Sequence, residues 1–341
     1  MRIVPSFAIA LAGMAAIVCT SASAWGPDGH HTVGALADKL IAGKPAAAQV
    51  KTLLGGLSLR DAAVWADCAK GVDPAQDYAY LGAGRYPECR IFETPQIEAE
   101  MSDFVRRNDV NCDRKPSEES CHKQYHYSDV AIQRDHYALG LAGSRDDDIV
   151  AAIGAAIRVL KGETAPGPFD IRGKREALLL LAHYVGDIHQ PLHVGAIYLD
   201  ARGRRVDPDA GSFDPATDTR GGNQIIAKQA ATRPQRAKLH AVWDAVPPAL
   251  TVPRIDAAWL QQARAVPRSA GDIAGWPAAW ASQTLGQARS AYDGLTFGPE
   301  RDGIWTVRLQ SSYLQKSAVI KKAQLTEGGA RLAQLLEAIW P

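Results

Sequence analysis

His183-Tyr184-Val185-Gly186-Asp187-Ile188-His189-Gln190-Pro191-Leu192-His193 is the stretch on which the reading of this chain turns. It closes an apolar run that reads as a helix. Residues four apart share one helical face, so His183 and Asp187 converge on one point. Pro191 ends or kinks the helix and turns His193 away. Neutral imidazole and carboxylate are the usual non-thiolate ligands of Zn²⁺. Taken alone, the stretch has two readings: a metal site, or a buried polar helix whose histidines are satisfied by hydrogen bonds.

Outward from it, Ala/Leu-rich segments with helical spacing recur and period-2 alternation is rare. The spacing predicts helices over 30–42, 45–54, 58–66, 124–139, 146–161, 173–189, 233–244, 254–265, 276–292 and 305–337. Two stretches read as long loops. Residues 69–121 mix Gly, Pro, Cys and both charges, with a short helix at 95–107; residues 199–222 are rich in Gly, Asp, Arg and Pro. Loops of this length inside a compact domain are often functional. No repeat and no change of composition marks a boundary, so the expectation is one all-α domain.

Residues 1–24 read as a signal peptide, with Arg2, an apolar run through Val18 and the small-residue site Ala22-Ser23-Ala24. The run is too short for a convincing membrane span, and nothing later reaches that length. The chain is therefore expected to be secreted or periplasmic, a monomer, and without stable membrane association. It has 38 Lys and Arg against 37 Asp and Glu, and removing Arg2 with the leader makes the two equal. A duplex-coating protein would carry a basic excess. An anionic substrate must instead be held by a local site. Cys19 leaves with the leader; Cys68, Cys89, Cys112 and Cys121 suggest two disulfides, with three pairings open, or free buried thiols.

Other candidate ligands are scattered. A chain cut after Ala24 starts Trp25-Gly26-Pro27-Asp28-Gly29-His30. Its free amine and the carbonyl of Trp25 can chelate a metal, and the amine's ordinary pKa, about 7.7–8.0, lets a cation deprotonate it. His30, past two glycines and a proline, can bend back onto the same ion. Trp65-Ala66-Asp67-Cys68-Ala69-Lys70 carries an acid at the end of a helical pattern and a base three residues on; on its own it is an ordinary ion pair. Tyr125-His126-Tyr127 puts a histidine between aromatics, on its own a core residue. Lys238-Leu239-His240-Ala241-Val242-Trp243-Asp244 repeats the His and i+4 Asp arrangement, after Gly221-Gly222-Asn223.

Together and in this order, WGPDGH, WADCAK, YHY, HYVGDIHQPLH, GGN and KLHAVWD resemble the S1/P1 nuclease family, which shares its fold with zinc-dependent phospholipase C. The resemblance runs from Trp25 to about Trp305. It implies an all-α fold of the phospholipase C/P1 nuclease type with long crosslinked loops, filling 25–341, and three zinc ions per chain. Trp25, His30 and Asp187 would hold one; Asp67, His126, His183 and Asp187 a second, with Asp187 shared; His193, His240 and Asp244 the third. Asp67, Lys70 and Asp187 take catalytic positions, with Lys70 and Asn223 near the substrate and Asn223 contacting a base. The implied activity is hydrolysis of single-stranded RNA and DNA to 5′-phosphorylated products, with 3′-nucleotidase action on nucleotides. Such chemistry suits paired zinc ions, which activate water and clamp both oxygens of a displaced phosphate ester.

This chain departs from the family pattern in three places. About 60 residues separate Asp67 from His126, and the extra segment holds three of the four remaining cysteines. Lys238 stands where Asn often precedes Leu-His. The 199–222 loop carries Arg202, Arg204 and Arg205. The rival readings are a zinc phospholipase C and a non-enzymatic exported zinc protein. His31, His122, His136 and His189 are expected to have surface or packing roles.

Overall fold

The computed structural model describes residues 25–110, 119–229 and 236–341. The leader, Cys112 and the first part of the segment expected as a helix over 233–244 lie outside the described residues.

Twelve α-helices are found among the described residues: α1 Pro27–Ile41, α2 Pro45–Leu54, α3 Leu59–Ala62, α4 Trp65–Ala69, α5 Pro95–Asn108, α6 Cys121–Gln124, α7 Ile149–Leu160, α8 Gly173–Asp187, α9 Leu239–Asp244, α10 Ala257–Arg264, α11 Trp276–Tyr292 and α12 Ser311–Ile339. The architecture is predominantly helical, as the spacing predicts. α8 is its axis: every residue from Ala177 to Asp187 is buried. A helix apolar all round must be surrounded; α1, α2, α3, α4, α7 and α12 supply that wall. α8 therefore ends, with Asp187, inside the protein.

Capping chemistry sets several boundaries. Ser58 and Asp61 form a capping box at α3, and the Asp148 side chain accepts from Val150 N and Ala151 N at α7. Pro27 occupies the first turn of α1, where its missing N–H costs nothing. His30 consequently sits in a helix and not on a bent-back loop.

Three small sheets are found among the described residues. β1 (Val72–Asp73) pairs antiparallel with β2 (Ala79–Tyr80), and β3 (Val130–Ala131) parallel with β4 (Gly195–Ala196). β5 (Ile225–Gln229) lies between β6 (Arg236–Lys238), antiparallel, and β7 (Trp305–Leu309), parallel. This last sheet has its own apolar cluster, in which Trp243 of α9, Trp305 and Tyr292 are buried.

Three helix expectations are corrected. Residues 124–139 are not helical beyond Gln124, because their backbone is taken by the segment after α8: Ser128 N donates to His193 O (2.8 Å) and Val130 N to Val194 O (3.1 Å). His126 thus sits in the turn after α6. Of the helix expected over 233–244, the described residues are β6 followed by a helix at Leu239–Asp244 alone. Residues 305–309 form β7, whose alternating burial is a strand period that the helical reading of 305–337 overran. The expected loop over 69–121 contains β1, β2 and the fourteen-residue α5. Cys68 is bonded to Cys89 with Cα atoms 5.6 Å apart, which eliminates two of the three pairings, and Cys121 is also disulfide-bonded. Among the described residues no helix is long and apolar enough to cross a membrane.

Candidate metal centre

The fold brings eight of the nine expected ligand side chains and termini into three groups: His30, His183 and Asp187; Asp67, His126 and His183; His193, His240 and Asp244. All except Asp67 are buried.

The first two groups meet at Asp187. Its Oδ1 lies 3.2 Å from His30 Nε2, while its Oδ2 lies 2.9 Å from His126 Nδ1 and 3.0 Å from His183 Nε2. One carboxylate thus faces two clusters, one with each oxygen. Four elements supply the rest: α1 gives His30, α4 gives Asp67, the turn after α6 gives His126, and α8 gives His183. The His30 and His183 rings stack with centroids 3.9 Å apart. Gly186 makes this possible, since a Cβ there would come within 2.9 Å of His30 Nδ1. Asp67 Oδ1 lies 3.6 Å from His183 Nε2 and 2.7 Å from Lys70 Nζ.

The donor atoms fit a cation. His183 Nδ1 donates to Ala63 O (2.6 Å), so Nε2 carries the lone pair that faces Asp187. Neither ring nitrogen of His30 makes a hydrogen bond, although both are buried. A buried imidazole left this way is costly unless something accepts its lone pair. The third group makes the same case more sharply. His193 Nδ1 donates to His126 O and His240 Nδ1 to Gly221 O, both at 2.8 Å. Their two Nε2 atoms then face each other at 2.9 Å with lone pairs. Two acceptors at that separation need a proton or a metal between them.

Burial would lower His183, but Asp187 and Asp67 raise it; at the other rings protonation does not supply the charge easily. Burial pushes His30 down to about 4 and His126 and His240 to about 3, while Asp187 partly opposes the shift in each. Burial alone would raise Asp187, yet the surrounding His183, His193 and His30 hold it well below the usual carboxylate range. Asp67 is lowered in the same way, burial being outweighed by Lys70 and the histidines. Burial would lower Lys70, but Asp67 and Asp187 raise it, so it stays an ammonium. Asp244 goes the other way: burial and the charges of Asp187 and Asp67 push it well above the usual range, against the hydrogen bond from Gln190. Without a cation this site favours the protonated acid; a cation would invert that balance.

Trp25, the ninth expected ligand, is in none of the three groups, its expected donors being backbone atoms. Its side chain is fully buried, and the next residue's Gly26 N donates to Asp244 O at 2.9 Å, which ties the start of the described chain to the end of α9. Asn223 follows Gly221 and Gly222, both at positive φ, in the turn whose Gly221 carbonyl orients His240. Asn223 Nδ2 donates to Arg220 O, and its Oδ1 has no partner.

Of the remaining histidines, none enters a group. His136 is exposed, His31 partly so, and His122 packs edge-on against Phe104. His189 is buried, donating from Nδ1 to Val185 O and accepting at Nε2 from Arg331 (2.8 Å). Sequence reasoning passed over Gln190. Its Nε2 donates to Asp244 Oδ1 (2.7 Å) and its Oε1 accepts from Leu192 N (2.6 Å), so it sets the acid of the third group. An amide between two histidines and before a helix-ending proline was the available signal.

Comparison with known proteins agrees with this geometry. The family model described as S1/P1 Nuclease matches residues 25–341. Endonuclease 5 of Arabidopsis thaliana is 25% identical over 342 residues, covering 93% of this chain and 90% of that protein. With one family model spanning all three ligand groups, the chain belongs to the S1/P1 nucleases, metal-dependent hydrolases of phosphodiester bonds in nucleic acids.

Proposed function

We propose that this chain is an exported zinc-dependent endonuclease that cleaves single-stranded RNA and DNA to 5′-phosphorylated products and acts on 3′-nucleotides. The division of the Asp187 carboxylate between His30 and the His126–His183 pair carries the reading. Three zinc ions are assigned: one to Trp25, His30 and Asp187, one to Asp67, His126, His183 and Asp187, one to His193, His240 and Asp244. Zinc bound there supplies water activation at neutral pH and neutralisation of phosphate charge.

The chain's own residues do the rest. Asp187 keeps its charge and divides it between two clusters. Asp67 fixes Lys70 as an ammonium beside them, where it offsets charge developing on the phosphate. Nδ1–H donation from His183, His193 and His240 to backbone carbonyls fixes each ring's tautomer and aim. The unpartnered Asn223 Oδ1 supports a base contact. Trp25 acts through its amine once the leader, residues 1–24, is removed; the Cys68–Cys89 bond supports passage to an oxidising compartment.

The test is elemental analysis and assay of protein starting at Trp25, with and without chelator. About three zinc ions per chain and faster cutting of a single strand than of its annealed duplex are expected. Release of phosphocholine in place of nucleotides, or less than one zinc in active protein, overturns the proposal. A matched protein with one residue added before Trp25 should bind zinc more weakly, because an amide nitrogen is a poor ligand.

A further inference from the structure

The long segment between Asp67 and His126 is not used by the ligand groups, yet the fold ties part of it to the centre twice. β1 starts two residues after Lys70, and the hairpin returns so that Leu81 N donates to Gly71 O at 2.8 Å. Eight residues on from Leu81, Cys89 is bonded to Cys68, the neighbour of Asp67. With 5.6 Å between those Cα atoms, the Cα of Arg90 lies within about 10 Å of Cys68. Both tethers land on α4 or its end, the element that carries Asp67 and Lys70.

The surface held there is unusual for this molecule. Leu81, Tyr86 and Ile91 are 41%, 40% and 45% exposed, among the few large apolar side chains that face solvent. Arg85 and Arg90 are exposed between them, and neither is paired with a carboxylate among the described residues. Glu88 is the only acid between Leu81 and Ile91, so the segment itself has one more positive than negative side chain, with the Glu93 carboxylate held at its Gly84 end. The turn is shaped from within: Arg85 N donates to Gly82 O (3.0 Å), Gly84 N to Glu93 Oε1 (2.9 Å) and Cys89 N to Tyr86 O (3.1 Å). Arginines interleaved with a flat ring and apolar side chains match a phosphate backbone with unstacked bases. A duplex hides the base faces that such a surface would cover.

We propose that residues 81–91 form a platform for nucleotides flanking the cleaved bond of a single strand, an inference that rests on the nuclease reading. Short substrates do not reach it. A single strand of about ten nucleotides does.

The experiment uses full processed protein and the combined variant Arg85→Gln, Tyr86→Ser, Arg90→Gln, whose side chains are exposed. A ten-nucleotide single strand and a dinucleotide are compared as substrates. The variant should raise KM for the longer strand about tenfold with kcat unchanged, leave the dinucleotide unaffected, and keep the same Tm. Its log KM should also depend less steeply on log salt, by about 1.4, for two lost phosphate contacts. An unchanged KM for the longer strand overturns the proposal, as does an equal loss on both substrates. Wild-type protein that forms a dimer, lost in the variant without a change in KM, assigns the surface to a second copy and overturns it as well. Wild-type protein that cuts neither substrate overturns the nuclease reading itself, which is a different result.

Discussion

The two halves of the ligand centre are built on opposite principles. Around Asp187, the fold keeps carboxylates ionised: His183, His193 and His30 hold Asp187 low, and Lys70 does the same for Asp67. Around Asp244, burial favours the protonated acid, and the histidines are aimed by backbone carbonyls at a point between them. The first half sits in the helical core at the end of α8; the second hangs on α9, beside the three-stranded sheet. A shared charge organises one half and hydrogen-bonded aim organises the other. Their vulnerabilities should differ accordingly.

The largest effect should come from Asp187→Asn. An amide has nearly the same shape but no charge, and it would face His30 on one side and His126 and His183 on the other. We expect kcat/KM to fall by more than about 10³-fold, beyond the usual 10–100-fold cost of losing an outer partner. Steady-state assay with metal analysis checks this. Near-normal turnover with full metal content would show that the charge is not shared.

Gln190→Ala attacks the other half through aim. It removes the donor to Asp244 and the acceptor for Leu192 N, leaving every charged group in place. A loss of about 10–100-fold in kcat/KM is expected, with metal content falling by about one ion. Equal loss of all the metal would mean that the halves are not separable in this way.

Legibility in the sequence followed the same divide. The i, i+4 pairs His183–Asp187 and His240–Asp244 were readable because a helix fixes which side chains share a face. The helical axis was readable because a run such as Ala177-Leu178-Leu179-Leu180-Leu181-Ala182 can only be buried. What local pattern could not supply was long-range pairing. His126 was expected on a helix, but its neighbours' backbone bonds go to His193 and Val194, some 65 residues away. β7 was lost inside a longer helical pattern, since a five-residue alternation is short beside the 29-residue α12. Gln190 carries no charge and binds no ion in the proposed scheme, so residue type alone gave it no weight.

The metal-free protein offers a third contrast, in sign. Asp187 is held below its unfolded pKa, so it stabilises the fold above the ordinary carboxylate range, and that contribution disappears as pH falls through its folded value. Asp244 is held above 3.8, so the fold loses stability as pH rises past that value. At pH 7, with metal removed by chelator, Asp187→Asn should lower Tm, whereas Asp244→Asn should leave it unchanged or raise it. With metal restored, both variants should melt below wild type. Scanning calorimetry in the two states checks it, and the same sign for both variants in the metal-free state would remove the distinction drawn between the halves.

The smallest catalytic effect should be that of His189→Ala, although the residue lies two positions from Asp187 inside the same motif. Its ring faces away from both halves: Nδ1 is spent on Val185 O and Nε2 on Arg331 of α12. Burial and the Arg331 charge hold it neutral, well below the usual histidine range, so it offers the centre neither charge nor a free lone pair. Its removal strands the buried Arg331, whose other partners are Gln283 and Glu327. The cost should therefore fall on stability, about 1–3 kcal/mol for a buried donor left unpaired. Thermal unfolding should register that loss while kcat/KM per folded molecule changes by less than about threefold and metal content stays at the wild-type value. A drop in kcat/KM as large as that of Gln190→Ala, with Tm unchanged, would instead place His189 in the centre and erase the line between the motif's ligands and its packing residues.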